Sequence, residues 1–209
     1  MIPCLDIHTH HPAPRPEAVV SSSVADFNPL ETQRYSIGIH PWDSAKLITD
    51  DQWFEFERKA ALPEVVAIGE CGIDKLKGGP MFKQLILLHR QIRISENLRK
   101  PLILHDVKAH DVIVGLRREL TLTQNWAIHG FRGKPTVAKM LTDAGIYLSF
   151  GEKFNPDSLP AVPPHLILAE TDESLLSINE IIHNLSVAAD QDLLPLIIRN
   201  TATFLSENE

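Results

Sequence analysis

The chain opens with MIPCLDIHTH, residues Met1 to His10. Ile2, Leu5 and Ile7 make a short apolar run that ends in two histidines spaced two apart. In an extended strand that spacing points His8 and His10 to the same side. The stretch therefore reads as a strand that delivers a pair of imidazoles to one place.

Outward from it the same pattern recurs. Short apolar runs, bounded by turn residues and enriched in β-branched or aromatic side chains, predict eight strands: Pro3 to Ile7, Ala18 to Val24, Tyr35 to Ile39, Val65 to Gly69, Leu102 to Leu104, Trp126 to Ile128, Ile146 to Phe150 and Leu166 to Ala169. Helical patterns separate most of the later ones: Asp51 to Ala61, Met81 to Leu98, Asp111 to Leu120 and Thr136 to Ala144, with Ser177 to Ala189 and Leu193 to Leu205 closing the chain. In Met81 to Leu98 the apolar residues Phe82, Leu85, Ile86, Leu88, Ile92 and Ile94 predict a broad buried face. The helix over Thr136 to Ala144 follows Pro135 and ends at Gly145, where a helix C-terminus favours glycine. Alternating strands and helices predict an α/β fold, a (β/α)8 TIM barrel, occupying residues 1–209 as one domain. A proline-rich link (Pro12, Pro14, Pro16) joins the first two strands, and Ala25 to Arg34 is too short for a full crossover helix. The first one or two outer helices are expected to be reduced or missing.

Composition narrows the function. The 209 residues are 44% hydrophobic and carry a formal charge of −7, which argues against a broad basic face that holds nucleic acid by neutralising phosphates. A metal site can still supply positive charge locally. No apolar stretch reaches the roughly 18 residues a membrane span needs, so a soluble, cytoplasmic protein is expected. Cys4 and Cys71 lie in apolar runs and are expected to be buried thiols. Ten histidines are the compositional oddity.

In a barrel of this kind functional residues gather at the C-terminal ends of the strands. There the chain places His8 and His10, His40 in GIHPWD, Glu70 in AIGECGID, His105 in PLILHD, His129 in AIHGFRG and Asp172 in LAETD. Each alone fits a capping or loop residue. Together His8, His10, Glu70, His105, His129 and Asp172 form a mixed nitrogen and oxygen ligand set suited to Zn²⁺, Mn²⁺, Fe²⁺, Ni²⁺ or Co²⁺. Six ligands exceed what one four-coordinate ion uses, which favours two ions bridged by a carboxylate.

The segments DIHTHH, GIHPWD, AIGECGID, PLILHD, AIHGFRG and AETD, in this order and with the closing RNTATFL, resemble the TatD family of metal-dependent deoxyribonucleases, a branch of the amidohydrolase superfamily. The resemblance runs from Leu5 to Leu205. It implies a TIM barrel with two divalent ions (Zn, Mn, Mg, Ni and Co not being distinguished), Glu70 bridging them, His8, His10 and Asp172 on one side and His105 and His129 on the other. His40 would lie near the scissile phosphate. The implied activity is hydrolysis of DNA phosphodiester bonds, in single strands or from 3′ or 5′ ends, with Glu70, His40 and Asp172 as catalytic residues and Asp172 as general base. The chain is shorter than usual for the family, reads Glu173-Ser174-Leu175 after the last ligand, and has Lys75-Leu76-Lys77-Gly78-Gly79 after Asp74 in place of an aromatic-containing stretch. The alternatives are a superfamily hydrolase of a small ester, amide or phosphoester, and a catalytically silent metal-binding protein; a monomer and a dimer are equally compatible. Trp42 and Phe131 are expected to pack under loops, and Lys75, Lys77, Arg132 and Lys134 to be solvated loop charges. His11 reads as a loop residue, as does His165 after Pro163 and Pro164, and His89, His110 and His183 read as surface or half-buried groups in helices.

Overall fold

The computed structural model describes residues 2–206. Met1 and residues 207–209, part of the expected 1–209 domain, lie outside them. Eight strands form one sheet in chain order, each parallel to the next: β1 Asp6–Thr9, β2 Ala18–Ser23, β3 Arg34–Gly38, β4 Val65–Asp74, β5 Leu102–Val107, β6 Trp126–Ile128, β7 Tyr147–Phe150 and β8 Ile167–Ala169. The sheet curls until its ends meet. A parallel bridge pairs Thr9 with Asp172, the His10 amide donates to the Asp172 carbonyl (3.0 Å), and the Asp172 amide donates to the His8 carbonyl (2.9 Å). The buried Asp6 carboxylate tightens this seam, accepting from the Thr171 amide (3.0 Å), the Thr171 hydroxyl (2.6 Å) and the His8 amide (3.2 Å).

Helices α1 Asp50–Ala60, α2 Met81–Leu98, α3 His110–Glu119, α4 Pro135–Thr142, α5 Ile178–Ala189 and α6 Leu194–Phe204 wrap the barrel from β3 onward. Capping boxes at Thr49 with Gln52 and at Ser177 with Glu180 start α1 and α5 by satisfying first-turn amides. Among the described residues no helix lies between β1 and β2 or between β2 and β3, as the short links predict. The Gln33 amide instead ties the two links together. Its oxygen accepts from the Arg15 amide (2.6 Å), and its nitrogen donates to the carbonyls of Arg15 (3.0 Å) and Ala18 (2.9 Å). Among the described residues no helix is long and apolar enough to cross a membrane. Cys4 and Cys71 are both buried.

Three expectations need correction. The first strand runs from Asp6 to Thr9, not from Pro3 to Ile7, because its ladder with β2 begins at Asp6, so His8 lies inside it. Strands β4 and β5 continue past their apolar runs to Asp74 and Val107, paired with each other over that length, so Glu70 and His105 sit within strands and not after them. On α2, Phe82 and Ile86 face outward, 60% and 63% exposed, while Gln84 and Gln91 face inward. The reason is backbone satisfaction at the strand ends. Gln91 caps Ile39, accepting from its amide (2.8 Å) and donating to its carbonyl (3.0 Å), and Gln84 does the same for Asp74 (2.8 and 2.9 Å). These two glutamines hold β3 and β4 at the level where His40 and Glu70 are needed.

The loop before β5 anchors α1 from below, through Lys100 Nζ donating to the carbonyls of Ala60 (2.5 Å) and Leu62 (2.9 Å). Burial pulls this ammonium down from 10.5 to about 8. Between those values the unfolded chain binds the extra proton, so the Lys100 contribution to stability rises with pH across that window. The urea midpoint of the wild type should therefore gain on that of Lys100→Met between pH 8 and about 10; a constant gap refutes the assignment.

Candidate metal centre

Glu70 enters the barrel through an irregularity in β4. Pairing with β5 slips between Ile68 and Cys71; Gly69 inside the slip and Gly72 just after it take φ of +151° and +139°. A Cβ at Gly69 would lie 2.5 Å from the Ile103 carbonyl oxygen and one at Gly72 2.1 Å from that of His105, so only glycine lets β4 pass β5 this closely. Such a bulge re-aims the side chain beside it. Here the Glu70 carboxylate is 8% exposed and surrounded by imidazoles.

Its two oxygens divide the neighbours. Oε1 lies 2.7 Å from His105 Nδ1, 2.8 Å from His129 Nε2 and 3.0 Å from His40 Nε2. Oε2 faces His10 Nε2 at 3.4 Å and His8 Nε2 at 3.5 Å, and Asp172 Oδ1 completes that side, 3.9 Å from His8 Nε2 and 3.7 Å from His10 Nε2. Burial alone would raise the pKa of Glu70, but the His129 charge and donation from His10 and His105 hold it well below the usual carboxylate range. Burial likewise pushes His129 down, yet the Glu70 and Glu170 carboxylates override it and hold the imidazole well above its ordinary value. His10 is raised by its bond to Glu70.

The donor set fits divalent ions. His8 is fully buried, and neither of its ring nitrogens has a hydrogen-bond partner among the described residues; the same is true of His129 Nδ1 and Glu170 Oε2. Buried polar atoms without partners are costly, so His8 Nε2, directed toward Glu70 Oε2 and Asp172 Oδ1, suits an acceptor of lone pairs between them. Four triads have ligand atoms within 4.8 Å of one another: His8, His10 and Asp172; His8, Glu70 and His129; His40, Glu70 and His105; and His129, Glu170 and Asp172. All seven residues singled out in the sequence thus meet on one rim.

Behind them stand carboxylates that the sequence reading passed over. Asp74 Oδ2 is 3.3 Å from His105 Nε2, and the buried Glu170 Oε1 is 3.5 Å from His129 Nδ1 while accepting from the Gly130 amide (2.6 Å). Each carboxylate favours a proton on the imidazole nitrogen facing it, which leaves the opposite nitrogen, aimed at Glu70, free to ligate. Both lay inside quoted motifs, AIGECGID and AETD, as further acids four residues from Glu70 and two residues from Asp172 respectively.

Most of the other residues behave as ordinary surface. Lys75 pairs with Asp111 (2.9 Å), Lys134 precedes α4, His110 bonds Asp106, and His11 Nε2 meets the Ser174 carbonyl (2.7 Å). Phe131 is buried as expected. Trp42 is not: it is 48% exposed at the mouth of a cavity of about 550 Å³ that holds the imidazoles. Its indole N–H donates to Asp74 Oδ2 (2.7 Å), which keeps the ring at the rim instead of under a loop. Arg132 lines both this cavity and a neighbouring one of about 390 Å³.

A closed parallel barrel with a cluster of His, Glu and Asp on its C-terminal rim describes a class shared by many metal-dependent hydrolases. The chain belongs to the TatD related DNase family, whose model matches residues 27–197. Among curated proteins it is 28% identical to a metal-dependent hydrolase of Buchnera aphidicola over 72% of this chain and 62% of that one, and 30% identical to the 3′-5′ ssDNA/RNA exonuclease TatD of Escherichia coli over 66% of this chain and 57% of that one. The aligned region thus spans about three fifths of the length of these relatives. Its fold matches the crystal structure of the TatD homolog YjjV of Escherichia coli with a TM-score of 0.81 at 21% identity, covering 98% of both chains. It also matches a TatD family hydrolase of Entamoeba histolytica at 0.75 and 13%, covering 97% of both.

Adding Zn²⁺ or Mn²⁺ to the chelated chain should raise its unfolding midpoint by several degrees, as binding to the folded state alone requires. Protons compete for the same nitrogens, and because His129 and His10 are raised, uptake measured by calorimetry should begin to fall above the ordinary imidazole pKa of 6.5 and continue downward with pH. Uptake that is flat between pH 8 and 5 rules this out.

Proposed function

We propose that this chain hydrolyses phosphodiester bonds of single-stranded nucleic acid, DNA in the first place and from an end, at a centre of two divalent ions. The observation that carries the reading is the division of donors about Glu70, with Oε2 toward His8, His10 and Asp172 and Oε1 toward His105 and His129. In this assignment Glu70, His8, His10, His105, His129 and Asp172 would hold the ions, with Glu70 shared between them. The names of the relatives, metal-dependent hydrolase and ssDNA/RNA exonuclease, support it.

Bound there, the ions would supply a water of lowered pKa and draw charge from the phosphate oxygens. The chain's own residues do the rest. Asp172, with a carboxylate 34% exposed to the cavity and a backbone locked to β1, is placed to accept the proton of the attacking water. The ring of His40 accepts from the Trp42 amide at Nδ1 (3.2 Å), which fixes its proton on Nε2. That N–H donates to Glu70 Oε1 in the free chain (3.0 Å), inside the centre, and is placed to turn to a phosphate oxygen when substrate is bound. Arg132, exposed at the junction of the two cavities, is placed to hold the phosphate of a neighbouring nucleotide.

An end-labelled single-stranded oligonucleotide should be cleaved in the presence of Mn²⁺ or Mg²⁺ and left intact in chelator. Asp172→Asn should lower kcat by about a hundredfold or more while the chain still binds metal, as loss of a general base does. Glu170→Gln and Asp74→Asn should each weaken metal affinity about ten- to a hundredfold, through the imidazole they orient. A loaded chain that turns over a small ester panel and no oligonucleotide would replace this reading.

A further inference from the structure

Trp42 is built as a platform. Asp74, itself 3% exposed, holds the indole N–H through Oδ2 (2.7 Å), and its other oxygen is fixed by the amides of Leu76 (2.8 Å) and Lys77 (3.0 Å). The edge of the ring is therefore tied to the end of β4. His40 packs against it nearly perpendicular, with centroids 4.6 Å apart, so the indole is also braced from the centre. The ring nonetheless stays 48% exposed at the mouth of the cavity that holds Glu70, His40, His105 and His129. A large aromatic surface held rigid and left open in this way costs little further ordering when a flat partner lands on it.

We propose that Trp42 is the stacking surface for a nucleobase of the substrate strand, next to the phosphate at the centre. The inference rests on the nuclease reading above and names how that site grips its substrate. In the free chain the exposed Lys77 ammonium lies 4.2 Å from the centroid of the ring. A cation over an exposed aromatic ring is held more weakly than a base stacked on such a ring in single-strand binders. The base displaces the ammonium, and Lys77, which makes no ion pair among the described residues, moves with its charge to the phosphate that accompanies that base. The face is indifferent to base identity, since every base offers a π surface. It also favours single strands, because a base in a duplex is already stacked on both sides.

Two measurements test this. Of the three tryptophans, Trp53 and Trp126 are buried, so Trp42 is the one whose fluorescence a bound strand can reach. Oligothymidylate added to the chelated chain, with binding followed independently by anisotropy of a labelled strand, should quench that fluorescence, and an abasic strand of equal length should bind without doing so. In steady-state cleavage, Trp42→Ala should raise KM about ten- to a hundredfold with little change in kcat. Trp42→Phe, which keeps a ring but loses the bond to Asp74, should fall between the two. On strands abasic at the nucleotides flanking the cleaved bond, wild type and Trp42→Ala should converge. Equal quenching by both strands, or a Trp42→Ala penalty that persists on abasic substrate or appears in kcat alone, overturns the platform while leaving the nuclease reading intact. A wild-type chain that neither binds nor cleaves oligonucleotides overturns both.

Discussion

Glu70 carries a negative charge to a place that water scarcely reaches, and a buried charge is tolerated only when compensated. Four imidazoles do so: His10 just after β1, His40 after β3, His105 in β5 and His129 just after β6. Much of the rest of the barrel follows from bringing them there. The slip in β4 turns the carboxylate inward, Gln84 and Gln91 on α2 fix the heights of β4 and β3, and Asp74 and Glu170 set which way His105 and His129 present their nitrogens. Removing the carboxylate would strand those imidazoles against one another, and removing the imidazoles would leave an uncompensated charge. The centre is thus interdependent in a way that the apolar layers below it, built from Ile37, Ile68, Leu102 and Leu168, are not.

How far a residue could be read from sequence depended on the distance to whatever decides its state. The eight strands were legible because a strand buried on both faces is apolar along its length, and so were the absent front helices, since a link of ten residues cannot hold a crossover. The rim residues were legible because they follow those runs in register. Strand ends were not: at Glu70–Asp74 and His105–Val107 the ladder continues after hydrophobicity stops, and only the neighbouring strand reveals it. The inward glutamines of α2 look like a polar stripe until β3 and β4 are seen to need donors and acceptors. Trp42 looks like core until Asp74, 32 residues away, is seen to hold it at the surface.

The front of the barrel shows how little connection a parallel pair can manage with. Where a crossover helix normally covers the outer face, here a single amide side chain, Gln33, bonds both links. This leaves Ser21, Ser22 and Ser23 of β2 on the wall of the cavity that contains the centre. The opening is bounded there by small hydroxyls, and the same cavity also carries the cationic Arg132.

The seam between β1 and β8 has a consequence for the order of assembly. Its hydrogen bonds join residues 162 to 165 positions apart, among them the pairs Asp6 with Thr171 and Thr9 with Thr171. Closing so long a loop is the entropically expensive step of building the barrel, and it comes when the other strand pairs can already have formed. Asp172 reaches His8 and His10 only through that closure. The half of the centre that spans the seam therefore cannot exist in a partly folded chain, whereas the half formed by β4, β5 and β6 can, and the two halves report different stages of maturation of the same molecule.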